Sequence, residues 1–77
     1  MANEQPVNFN TASSSKTITN ATAISVFAKG GDVQIGNTIN SITIADGTSW
    51  NVTASDGNTL QDITVVPVST ALITWLQ

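Results

Sequence analysis

The sequence predicts a small all-β domain, an antiparallel β-sandwich or barrel of about seven short strands with an extended N-terminal arm. Three observations carry that expectation. Val, Ile, Thr and Trp gather in short runs, several of which alternate apolar with polar residues as a half-buried strand does. Turn signals built on Gly, Asp and Asn separate these runs at intervals of about ten residues, the spacing of a sandwich or small barrel. No segment repeats apolar residues at the helical period of about 3.6 over three turns, so helices should be few or absent.

Residues 1–15 read as a flexible arm and residues 16–77 as the β-domain. The arm holds Pro6 and the scattered amides Asn3, Gln5, Asn8 and Asn10, and it ends in Ser13-Ser14-Ser15. Its apolar anchors are Val7 and Phe9, which an extended segment points the same way, so both should dock on a neighbour. From Lys16 the chain reads strand, turn, strand. Residues 17–20 and 23–29 are strand candidates; in the second, Ile24, Val26 and Ala28 share one face and Phe27 takes the other. Gly30-Gly31-Asp32 turns the chain into a short strand at 33–35, and Gly36-Asn37 turns it again. Residues 39–45 follow, with Ile42 and Ile44 alternating against Thr43. Asp46-Gly47 is a hairpin signal, because Gly adopts positive φ freely and Asp tolerates it. Residues 48–54 carry Trp50 and Val52 on one face and Asn51 and Thr53 on the other. Ser55-Asp56-Gly57-Asn58 is a second turn of this kind. Residues 60–66 form the next strand, which Pro67 interrupts or confines to an edge, and 71–76 close the domain.

At 77 residues the chain makes one domain, near the lower limit for folding alone. Small domains usually gain stability from disulfides, metals or association. There is no Cys, and metal ligands are sparse, which leaves association. The absence of Cys fixes no compartment. The start Met1 to Pro6 is polar and has no basic stretch followed by an apolar one, so no secretory signal is expected. No run approaches the ~20 apolar residues that span a bilayer, so no membrane partner is expected. The net charge is −3 and the only cations are Lys16 and Lys29, too few for the phosphate contacts that hold nucleic acid.

The chemistry that enzymes need is thin. His, Cys, Tyr and Arg are all missing, and neither lysine sits in a Ser-Lys motif, so no catalytic residue and no cofactor is expected. Asp46, Asp56 and Asn58 offer oxygen ligands suited to Ca²⁺, yet their spacing does not match a calcium loop and turn chemistry accounts for them. Trp50 and Trp75, near Asn and Asp, could form a sugar platform, but in so short a chain such rings more often serve a core or an interface. Thr17 and Thr19 make a single pair where an ice-binding surface needs an array. Asn20-Ala21-Thr22 and Asn51-Val52-Thr53 match the glycosylation tripeptide, which arises readily in so Thr- and Asn-rich a chain.

The stretch 63–76 carries no charge. Long uncharged β-prone segments aggregate when their edges are open, so this one should be a central strand. One face of it is then free for a subunit or capsid contact, expected at Leu72, Trp75 and Leu76.

Three segments together carry a resemblance. They are the run from Ile24 through Gly30-Gly31-Asp32-Val33-Gln34-Ile35, the segment Ile44-Ala45-Asp46-Gly47-Thr48-Ser49-Trp50, and Asn58-Thr59-Leu60-Gln61-Asp62-Ile63-Thr64-Val65. Over residues 24–76 the chain resembles small capsid decoration (cement) and head accessory proteins of tailed bacteriophages. The resemblance implies a non-enzymatic virion protein, made in the host cytoplasm, whose partner is the major capsid protein. It would bind the outer capsid surface and bridge neighbouring subunits as a homo-oligomer, trimers being common in that class. The family has no catalytic or ligand residues to carry over. The alternative is a carbohydrate- or receptor-binding module on a phage fibre or cell surface, using Trp50 and the Asp-Gly loops.

Overall fold

The computed structural model describes residues 7–77. They form eight strands: β1 (Val7–Ala12), β2 (Lys16–Ile18), β3 (Ala23–Lys29), β4 (Val33–Gly36), β5 (Ser41–Ile44), β6 (Ser49–Thr53), β7 (Ile63–Pro67) and β8 (Thr70–Leu76). Two four-stranded antiparallel sheets face one another, ordered β1-β8-β3-β6 and β2-β7-β4-β5. The all-β class is as expected, and no helix occurs among the described residues. Between the sheets lies a dry core of aliphatic side chains, with Val26, Val33 and Val65 at 0 % exposure and Ile18, Ile24, Ile35 and Ile73 at 2 %. The alternation in 23–29 is why β3 sits at its centre: every second residue there is buried.

The arm departs from expectation. Residues 1–6 lie outside the described residues, but 7–12 are not a flexible segment: they are an edge strand paired with β8 from Val7↔Leu76 to Ala12↔Ala71. The strand is inverted relative to the usual pattern. Val7 and Phe9 point outward, Asn8 and Asn10 point inward, and Ala12 alone is buried. Asn8 Nδ2 donates to Gln77 Oε1 at 3.2 Å, tying the start of β1 to the residue that follows β8. The backbone ladder to β8 holds a segment that hydrophobic patterning leaves out of the core.

The Asp46-Gly47 turn also differs from its expected role. It does not close a hairpin within one sheet, because β5 belongs to one sheet and β6 to the other. Its hydrogen bonds explain this. Gly47 N donates to Ala28 O at 2.9 Å, Ala28 N donates to Thr48 O at 2.9 Å, and Gly30 N donates to Asp46 Oδ1 at 2.9 Å. The turn is thus fastened to the end of β3 and launches β6 beside it; Gly47 holds φ +81°, which a side chain would strain. Asp46 N donates in turn to Asp32 Oδ1 at 3.1 Å, and Val68 N to Asp32 O at 2.9 Å. Three turns that cross between sheets are therefore clamped together at one end of the sandwich. Asp46→Ala removes the acceptor for Gly30 N and should lower stability by about 1 kcal/mol; urea denaturation measures it, and an unchanged midpoint would refute the clamp.

Only β4 and β5 are joined as a hairpin within a sheet. There Asn37 Oδ1 accepts from Ile39 N at 2.8 Å and from Asn40 N at 2.9 Å, the Asx geometry that makes Asn a turn former. Leu60, expected in a strand, instead packs against the core from the long β6–β7 connection, where its N–H donates to Ala21 O at 2.8 Å.

Candidate docking face on the first sheet

The two sheets present different outer faces to solvent. On the β2-β7-β4-β5 sheet the outward groups are mainly polar and bond to one another: Thr17 and Thr64 hydroxyls lie 3.0 Å apart, and Gln34 Nε2 donates to Ser41 Oγ at 2.9 Å. Val66 is its one large apolar side chain, at 41 % exposure. The outer face of β1-β8-β3-β6 is different in kind.

Strand alternation and register arrange that face in rows. Val7, Leu76, Ala23 and Thr53 form one row across the sheet. Phe9, Thr74, Ser25 and Asn51 form the next, and Thr11, Leu72, Phe27 and Ser49 the third. Phe9 is 76 % exposed, Val7 46 %, Phe27 39 % and Leu72 37 %. Lys29, at the far end of β3 opposite Thr70, is the sole charged residue among the outward positions of the four strands. Where the small residues Ala23 and Ser25 occupy the middle of the face, the surface dips. The depression, about 260 Å³, is walled by Asn51 and Thr53 on one side and Thr74 and Leu76 on the other. Ser25 Oγ donates to Asn51 Oδ1 at 2.5 Å across its floor.

The structure brings together four of the five residues singled out from sequence. Val7, Phe9, Leu72 and Leu76 all lie on this face. Trp75 does not: Ala71, Ile73 and Trp75 alternate inward, so its ring packs against the core, half-buried, with Lys16 Nζ 5.5 Å from the ring centroid. Residues 72 and 75 are three apart, and a strand's period of two places them on opposite faces. Phe27 belongs to the face and was not singled out, although its position opposite Ile24, Val26 and Ala28 in the alternation marked it as outward.

The features behind the sugar and calcium readings do not converge. Trp50 faces inward, half-buried, on a cleft of about 240 Å³ between β5 and β6 shared with Ile35, Ile42 and Ile63. Asp46-Gly47 and Asp56-Gly57 lie before and after β6, at its opposite ends. No group of three or more His, Cys, Asp or Glu side chains able to hold a metal occurs among the described residues.

Comparison with protein-family models, with curated proteins and with solved structures finds no match to this chain.

Proposed function

We propose that this protein is a non-enzymatic assembly component that attaches to the outer surface of a tailed-phage capsid and bridges neighbouring capsid subunits. The observation that carries the reading is the outer face of the β1-β8-β3-β6 sheet, where Val7, Phe9, Phe27 and Leu72 stand exposed with Lys29 as the only charge. Contiguous apolar surface rimmed by polar groups marks an interaction site. The inversion of β1 strengthens the point. A strand serving only its own core would turn Val7 and Phe9 inward; this one turns Asn8 and Asn10 inward and gives its apolar side chains to the surface. A small domain of this kind gains stability by docking, since whatever binds the folded form shifts folding toward it. The resemblance of residues 24–76 to capsid decoration proteins names the lattice on which it would dock.

The reading predicts that particles of the phage encoding this chain carry it at a copy number comparable to the major capsid protein, measured by quantitative mass spectrometry. Leu72→Glu puts a charge in the middle of the face and should cut recovery on particles at least tenfold, while Val68→Glu, in the exposed β7–β8 turn, should leave it unchanged. Particles that lack the chain, or that bind both variants equally, would overturn the assignment.

A further inference from the structure

The outer face of the β1-β8-β3-β6 sheet is complementary to itself, and we propose that its occupant is a second copy of this chain, packed face to face about a two-fold axis running along β8. The inference rests on the reading of this face as an assembly surface: the second copy covers the face in free solution and gives it up when the chain docks on a particle. A two-fold interface requires one surface to carry both the projections and the recesses that receive them. Here they lie in the same rows. Strands are about 4.8 Å apart, so β1 and β3 flank β8 symmetrically. A two-fold axis in the interface, parallel to β8, exchanges them. Phe9 then comes to rest over Ser25 of the second copy, in the depression on β3, and Val7 over Ala23. In the third row the sizes reverse: the small Thr11 lies over the large Phe27. On the axis Leu72 and Leu76 meet their own copies, with the smaller Thr74 between them, while on either side each row sets a larger side chain of β1 or β3 against a smaller one of the other copy.

The charges agree with this arrangement. Lys29 is brought over the flank of β1 beyond Ala12 and stands about two strand spacings, roughly 10 Å, to the side of its symmetry mate, near the screening length of physiological salt. The overlap of three strands with the seven residues of β8 covers roughly 14 by 23 Å per copy. That is a small interface, of the class that associates weakly and reversibly.

Sedimentation velocity over a series from about 10 μM to about 1 mM tests this on the full chain. A concentration-dependent monomer–dimer equilibrium is expected. Phe9→Glu and Ser25→Lys should each raise the dissociation constant at least tenfold, because each places a charge against an apolar or hydroxyl group of the other copy. Combined in one chain, they set opposite charges against each other twice across the axis and should restore dimerisation at low salt to within about threefold of the parent. Phe9 is 76 % exposed, so its variant retains the fold, which circular dichroism verifies, and Val66→Glu on the opposite sheet serves as a control that leaves the dimer intact. A chain that stays monomeric throughout, forms a trimer, or dimerises regardless of Phe9→Glu and Ser25→Lys overturns the inference. Particle binding is scored separately: a dimer absent from particles supports this inference while removing the capsid reading. Loss of particle attachment by Leu72→Glu in a chain that never dimerises does the reverse.

Discussion

Replacing Ile73 with alanine is expected to lower folding stability by about 2–5 kcal/mol, because the site is closed on every side and the vacated space cannot collapse. Ile73 is 2 % exposed and stands on β8, between Asn10 of β1 and Val26 of β3. A chain of 77 residues has about 4–11 kcal/mol in all, so this single change removes a large fraction of it. The expected result in urea is a midpoint displaced far toward zero with an unchanged slope. Its neighbour Leu72, outward on the same strand at 37 % exposure, supplies the contrast. Leu72→Ala should cost under about 1 kcal/mol in the isolated chain. Equal losses at the two positions would mean that the inward and outward faces of β8 are wrongly assigned.

The second large effect is expected from removing residues 1–12. In a mere tail this would be harmless. Here it strips six residue pairs from β8 and leaves the hydrogen-bonding edge of 70–76 open along an uncharged, β-prone strand. Such an edge pairs with other chains. The truncated chain should pass into the insoluble fraction, and what stays soluble should melt well below the parent and scatter light on standing. Removal of residues 1–6 alone leaves every described pair in place and provides the comparison. A chain starting at residue 13 that is soluble and melts unchanged would show that β1 is no part of the sheet in solution. For the same reason the proposed attachment to particles is better probed by point changes on the face than by deleting the N-terminal segment, which would confound release with unfolding.

What could be read from the sequence follows the physics of each segment. β3 and β4 were legible because their apolar residues alternate cleanly, Ile24-Val26-Ala28 and Val33-Ile35, and each meets the core on one side only. The last strand was legible as central because it carries no charge, and it does lie between β1 and β3. β1 was not legible. Its hydrophobic pattern points to the outside of the molecule, and a ladder of backbone hydrogen bonds leaves no trace in side-chain polarity. Nor could sequence tell that Asp46-Gly47 joins strands in different sheets. A turn's residues report its local φ and ψ, whereas its destination depends on bonds to Ala28 and Gly30, far away in the chain. Of the docking face, Val7, Phe9, Leu72 and Leu76 were visible as apolar residues in search of a partner. The dip over Ala23 and Ser25 was not, since small residues on a central strand become a recess only once β6 and β8 rise on either side.

The pairing of Val7 with Leu76 has a consequence for biogenesis. β8, the central strand to which both β1 and β3 are bonded, is the last of the eight to be synthesised. While the polypeptide is still being translated, β1 and β3 have no template between them, and the first sheet can be completed only after residue 76 has left the ribosome. A premature stop before Thr70 therefore does not yield a shortened sandwich. It takes away the strand that holds β1 in place, so incomplete translation products should be cleared by proteases.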